Sequence, residues 1–272
     1  MTIADIPLGV RLTRQAGWNQ LEADWLRFLA MQPESCFAGE LDGQAAATTV
    51  TCILGPVAWI AMVLVDTAAR RQGVATALLR HALDFLDGQG VKTVRLDATA
   101  AGRPVYEKLG FEAEYLLTRY EGVVPEGVRQ AGTPRAAEGE YQEIVAFDRE
   151  ATDTHREKML TRLFRESPEG VHILRRDGRL EGYVSLRRGA NATQIGPCIA
   201  TPSTGEVLLR GALGLCTGSH VFIDIPCDNI PAVGLAQRYG LQAQRQFTRM
   251  RRGEPVHDQP ASIYASSGPE KG

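Results

Sequence analysis

The chain has 272 residues, 44% of them hydrophobic, with 30 basic against 32 acidic side chains and a formal net charge of −2. This near-neutral balance gives no electrostatic footprint for nucleic acid, and the apolar run Ala58–Val65 falls well short of the ~18 residues that cross a bilayer. With no basic segment leading into an apolar one at its start, the chain reads as a cytoplasmic protein with material for one large or two modest cores.

The five cysteines, Cys36, Cys52, Cys198, Cys216 and Cys227, are odd in number and never spaced Cys-x-x-Cys, so reduced thiols are expected and neither a disulfide frame nor a metal site. In chain order, a strand is expected at 10–13, then a helix across 21–30. Trp18, Leu21, Trp25, Phe28 and Leu29 recur there at three- and four-residue intervals and form a core stripe. Three strands follow, the last being the apolar Trp59–Val65. The turn Arg70-Arg71-Gln72-Gly73-Val74-Ala75 then leads into an apolar helix. A helix N-terminus carries unpaired N–H groups, Gly73 lets the backbone approach an anion, and two arginines can add charge-assisted hydrogen bonds. The turn suits a pyrophosphate; the six residues alone also suit an ordinary strand-to-helix turn with solvated arginines. Next come a strand at 93–97, a short helix in which Pro104 opens the first turn and Gly110 closes the last, and a strand at 114–120.

Arg70–Ala75 and the later Tyr106-Glu107-Lys108-Leu109-Gly110-Phe111 together resemble the GNAT superfamily of N-acetyltransferases, with its Arg/Gln-x-x-Gly-x-Gly/Ala turn and Tyr-Glu-x-Leu-Gly-Phe motif. The resemblance implies an α/β (α+β) fold, a mixed central sheet flanked by helices, and acetyl-CoA as cosubstrate. The acceptor it implies is a small-molecule primary amine such as a polyamine, an amino acid or an aminoglycoside-type antibiotic. A peptide or protein N-acetyltransferase and a non-catalytic acyl-CoA sensor are the alternatives. It assigns the pyrophosphate to Arg70, Arg71, Gln72, Gly73, Val74, Ala75 and Thr76, the pantetheine arm and thioester to the backbone of Val63, Leu64 and Val65, and the role of general acid to Tyr106. Thr99 stands where the family often has a cofactor-binding Asn, and Gly102 replaces a common Ala. No acid lies on the strand 59–65, which leaves Glu22, Asp24, Glu34, Glu40, Asp97 and His155 as candidate bases beside a water chain.

Residues 122–139 lack helical or strand period and read as a linker between a first unit at 1–121 and a second at 140–252, with 253–272 as a flexible tail. The second unit repeats the first: a helix at 156–164, strands at 171–174, 180–186 and 193–199, a helix at 206–215, a strand at 221–225 and a helix at 231–239. Two tandem GNAT-like folds are therefore expected, the second degenerate. Its turn, Ala200–Gly205, has no arginine, and Ala236 stands where the first unit has Tyr106. The charged cluster Asp148-Arg149-Glu150 and Asp153-Thr154-His155-Arg156 is placed to line an acceptor cleft, and a solvated helix start capped by Asp153 or Thr154 explains it equally; Arg175-Arg176 and Arg187-Arg188 read as charges at hairpin edges.

Overall fold

The computed structural model describes residues 1–128 and 132–272. The first half gives α1 (Ile6–Gln15), α2 (Glu22–Met31), β1 (Cys36–Leu41), β2 (Gln44–Leu54), β3 (Val57–Val65), α3 (Val74–Gly88), β4 (Thr93–Thr99), α4 (Arg103–Glu107) and β5 (Glu112–Val123). The second gives α5 (Tyr141–Thr152), α6 (Glu157–Glu166), β6 (Val171–Arg176), β7 (Arg179–Arg188), β8 (Thr193–Ala200), α7 (Gly205–Leu215), β9 (His220–Pro226), α8 (Ile230–Arg238), β10 (Gln242–Gly253) and β11 (Ile263–Ala265). Two expectations fail at the level of single elements. The strand expected at 10–13 lies inside α1, because Pro7 opens a helix that buries Ile6, Gly9, Leu12 and Thr13 on one stripe. The run at Asp148 is the buried end of a helix, not a solvated start: Asp148 holds Arg156 and accepts from the Tyr183 hydroxyl.

The strands form one mixed sheet in the order β1-β2-β3-β4-β10-β5-β9-β8-β7-β6. The order reads the same from either end when each strand is exchanged for its counterpart in the other half, so the halves are related by a pseudo-twofold axis between β10 and β5. Each half lends its fifth strand to the other. β10 lies between β4 and β5, antiparallel to both, and β5 lies between β10 and β9. The tandem expectation holds, with the two sheets fused. Alternating residues of β3 serve two cores. Trp59 and Ala61 join a cluster under α1, α2, α5 and α6 that draws on both halves, whereas Ala58 and Ile60 join Leu79, Leu83 and Leu86 of α3. Four buried cysteines are unpaired, and burial pushes the Cys52 and Cys216 thiols up to about 11.

The expected linker and tail are both packed. β5 continues through Val123, Val124 is buried, and the Ala136 N–H donates to the Val171 carbonyl; residues 129–131 of the expected linker lie outside the described residues. Residues 253–272 are not a flexible tail. β11 pairs with β8, Tyr264 is 1% exposed, and Glu270 and Lys271 are buried against Arg187 of β7 and Asp24 of α2. The Pro, Ser and Gly content that suggests disorder instead lets the segment thread a narrow channel, where the Ser266 carbonyl lies only 2.0 Å from the position a Cβ would take on Gly196.

Candidate active site

β3 and β4 pair in parallel only over Val57–Trp59 and Thr93–Arg95. Beyond Trp59 they diverge, and the divergence has a local cause. The β2–β3 register shifts between Thr48 and Val50, where Met62 adopts φ +52° and its carbonyl accepts from the Thr48 hydroxyl at 2.9 Å. Such a bulge bends its strand and re-aims the backbone. The edge of β3 facing β4 is thereby left unpaired over Ile60–Val65, and a cleft of about 610 Å³ opens between the strands. Val63, Leu64, Val65, Arg70, Arg71, Ala75 and Tyr106 all line it. Gln72, Gly73, Val74 and Thr76 belong to the same turn but stand outside the cleft lining.

At the mouth, the turn into α3 is built from two left-handed residues, Arg71 (φ +62°) and Gly73 (φ +83°). The Ala77 N–H donates to the Gly73 carbonyl, so the N–H groups of Val74, Ala75 and Thr76 have no intrahelical acceptor. Open space surrounds the position a Cβ would take on Gly73. The loop is tied to α1: Gln15 bonds Thr67 through both amide atoms, and Arg11 pairs with Asp66, whose carboxyl that hydrogen bond holds below the usual range. Among the described residues, neither Arg70 nor Arg71 pairs with a carboxylate. Helix-start N–H groups, the guanidinium groups of Arg71 and of Arg70, whose Nε donates to the Val65 carbonyl at 3.1 Å, and a glycine with open space come together at the mouth of the cleft.

Tyr106 stands on the opposite wall. The Thr99 hydroxyl accepts from the Gly102 N–H at 3.2 Å and so shapes the turn into α4, doing at this position a local structural job. Tyr106 packs edge-on against Phe111 with centroids 5.9 Å apart, and burial raises its phenol well above its ordinary value. A phenol raised in this way is protonated at neutral pH.

The candidate bases separate cleanly. Glu22, Glu34, Glu40 and His155 are exposed and line none of the cleft. Asp24 is buried against Arg27 at 2.6 Å and Lys271 at 3.3 Å. Asp97 lines the cleft, but Arg249 holds both its oxygens at 2.9 Å. The inner end of the cleft is closed by residues that no motif marks: Trp18, Gln20, Arg119, Arg245, Phe247, Pro269 and Glu270. Arg119, from β5, holds Asp224 of β9 at 2.7 and 2.8 Å and lies over Phe222 and Phe247. Arg187 is no hairpin-edge charge: it is buried and bonds Glu270 at 2.7 Å.

In the second half, the equivalent divergence of β8 and β9 begins after Ile195–Ile223, and β11 fills it. The Asn229 side chain donates to the Ala261 and Ile263 carbonyls, the Ser266 N–H donates to the Asp224 carbonyl, and the Tyr264 ring covers Gly205 at the start of α7. The wedge that is open in the first half is occupied here by the protein's own backbone.

Two family models match the chain, one described as the acetyltransferase (GNAT) family over residues 10–111 and one as an acetyltransferase (GNAT) domain over residues 144–265. The chain is 27% identical over 226 residues to the uncharacterized N-acetyltransferase YitH of Bacillus subtilis, covering 81% of this chain and 78% of that protein. It is 34% identical over 82 residues to the ribosomal protein bS18-alanine N-acetyltransferase of Escherichia coli, covering 29% of this chain and 55% of that one. A crystal structure from Pyrococcus horikoshii, provisionally described as an acetyltransferase, superposes with a TM-score of 0.82 at 26% identity over 100% of this chain and 94% of its own. A tandem GNAT protein from the clavulanic acid biosynthesis pathway shares the fold, with a TM-score of 0.62 at 13% identity over 93% of this chain and 95% of its own. With a family match on each half, and the fused double fold that carries them, the chain belongs to the GNAT superfamily of N-acetyltransferases as a tandem member.

Proposed function

We propose that the first half binds acetyl-CoA and transfers its acetyl group to the primary amine of a small molecule, while the second half serves as scaffold. The observation that carries this reading is the continuity of one cleft from the anion cradle at Arg70–Thr76, along the unpaired edge of β3, to Tyr106 and the charged inner end. The N–H groups of Val74, Ala75 and Thr76 with Arg70 and Arg71 would hold the pyrophosphate. The free edge of β3 at Val63–Val65 offers backbone donors fixed before reaction, suited to negative charge developing on the thioester oxygen. Tyr106 would protonate the departing thiolate. The plug of β11 in the second wedge supports a single cofactor site per chain.

A second reading, transfer to the α-amine of a peptide or protein, draws support from the similarity to the bS18-alanine acetyltransferase. Thiol release from acetyl-CoA over a panel of polyamines, amino acids, aminoglycosides and short peptides tests both. Acceleration by a free small amine supports the first, and acceleration by peptides alone supports the second. An acetyl-CoA complex whose thiol release no amine accelerates would replace both with a non-catalytic sensor.

A further inference from the structure

We propose that Glu270, carried into the cleft by the closing segment of the second half, is the carboxylate that receives the acceptor's ammonium group and takes its proton. The inference rests on the acetyltransferase reading above. Four observations converge on it. Pro269 and Glu270 line the same cleft as Tyr106 and the free edge of β3. The segment enters at the point of divergence: the Trp59 indole N–H donates to the Pro269 carbonyl at 3.0 Å, and Trp59 is the last β3 residue paired with β4. Glu270 is 3% exposed, its Oε1 is held by Arg187 at 2.7 Å and by Lys271, and its Oε2 has no hydrogen-bond partner. Asp97, the other acid lining the cleft, has both oxygens committed to Arg249.

A buried carboxylate oxygen left without a donor costs free energy, and an ammonium group that moved aside the cover over Oε2 and bonded it would remove that cost. The groups around Glu270 are Lys271 beside it, Arg187 from β7, Asp24 and Arg27 from α2, and Arg119 from β5. Lys271 and Arg187 hold its carboxyl below the ordinary glutamate range against the opposing effect of burial, so it is anionic at neutral pH.

The step balances as follows. One ammonium proton passes to Glu270 Oε2, and the freed amine attacks the acetyl carbonyl carbon. The C–N bond forms and the C–S bond breaks, with the thiolate taking the Tyr106 phenol proton. The second nitrogen proton, lost as the amide forms, restores Tyr106 through solvent, and Glu270 returns its proton to water. Ammonium and thioester thus give amide, thiol and one proton.

The test uses the full chain with Glu270→Gln and Glu270→Asp, calorimetric titration of acetyl-CoA, and thiol release with alanine amide, lysine, spermidine and glucosamine. Acetyl-CoA affinity is expected within about twofold of wild type in both variants, and kcat/KM for the best amine is expected to fall roughly 10²- to 10³-fold in Glu270→Gln at neutral pH. That gap should shrink to under about tenfold near pH 10, where the amine arrives already unprotonated. Glu270→Asp keeps the buried charge that Arg187 requires and should retain activity between the two, which decides the matter if the Gln variant does not fold. A folded Gln variant with unchanged kcat/KM, a loss equal at every pH, or a loss of acetyl-CoA affinity would each overturn the role. Failure of every amine on wild-type protein would instead overturn the acetyltransferase reading beneath it.

Discussion

Lys271 has no exposed surface, and its ammonium is pushed down to about 8, first by burial and then by Arg187, against the pull of Glu270 and Asp24. In the unfolded chain a lysine titrates near 10.4, so between the two values the unfolded chain binds more protons than the folded one. This group's contribution to stability therefore rises with pH across that window. Below it, the cost of holding a buried ammonium is present in full. Two pH units inside the window, at about 1.4 kcal/mol each, give roughly 2–3 kcal/mol. The buried thiols act in the opposite direction: Cys36, Cys52, Cys198 and Cys216 are raised by burial, and the unfolded chain loses those protons from about pH 8.5 upward. The wild-type curve alone would hide Lys271. Equilibrium urea unfolding of wild type and Lys271→Met at matched pH cancels the cysteines. The difference, wild type minus variant, should grow by about 2 kcal/mol between about pH 8 and pH 10. A difference constant to within about 0.5 kcal/mol would refute the burial of a titrating ammonium at this point.

Replacing Tyr106 with Phe should lower kcat about 10²-fold and leave acetyl-CoA affinity in place, as measured by thiol release and calorimetry; equal loss of both would assign Tyr106 to cofactor packing. Arg71→Ala should weaken acetyl-CoA binding roughly ten- to hundredfold, the worth of one charge-assisted hydrogen bond, and should flatten the salt dependence of the titration. Tyr264→Ala should cost about 3–5 kcal/mol, because it empties the ring's place over Gly205, and should lower Tm by roughly 6–20 °C with early amide exchange confined to β11. A Tm unchanged within about 2 °C would show that the plug contributes nothing to the fold.

The end of the cleft at Arg70 and Tyr106 is legible in the sequence because it is local. Arg70–Thr76 and Tyr106–Phe111 are short contiguous motifs, and the strand 59–65 reads as buried from its unbroken apolar run. The end at Arg119 and Glu270 is not, because it is assembled at a distance. Glu270 meets Arg187 across 83 residues, Arg119 meets Asp224 across 105, and the Trp59 indole reaches Pro269 across 210. No periodicity signals such pairs. Within α1, Val10–Thr13 is an apolar–polar alternation that fits a strand in isolation, and the helix shows only when Pro7 is counted as a first-turn residue. In residues 253–272 a Pro-, Ser- and Gly-rich composition marks absence of regular structure, and a segment threading a wedge lacks regular structure as much as a mobile one does.

Divergence of two parallel strands exposes backbone donors and acceptors that must find partners elsewhere. The fused sheet contains two such divergences, one at Met62 and one at Gly196, each beside a helix start. In the second half β11 satisfies the exposed edge, Asn229 caps α8 while binding the segment's carbonyls, and Tyr264 covers the helix start where the first half presents Gly73. In the first half, among the described residues, no strand fills the wedge: Arg70 bonds the Val65 carbonyl, and the corresponding surface stays open with Arg70 and Arg71, neither paired with a carboxylate, at its mouth. If both wedges bound the same cosubstrate, the sequence that fills one would be superfluous. Because the filling segment continues past β11 and brings Pro269 and Glu270 to the lining of the other half's cleft, closing the second wedge and furnishing the first are done by a single stretch of ten residues, 263–272. Substitutions that loosen β11 should therefore lower turnover in the first half without touching any residue of its motifs, and a loosened variant that melts early yet turns over at the wild-type rate would separate the two tasks.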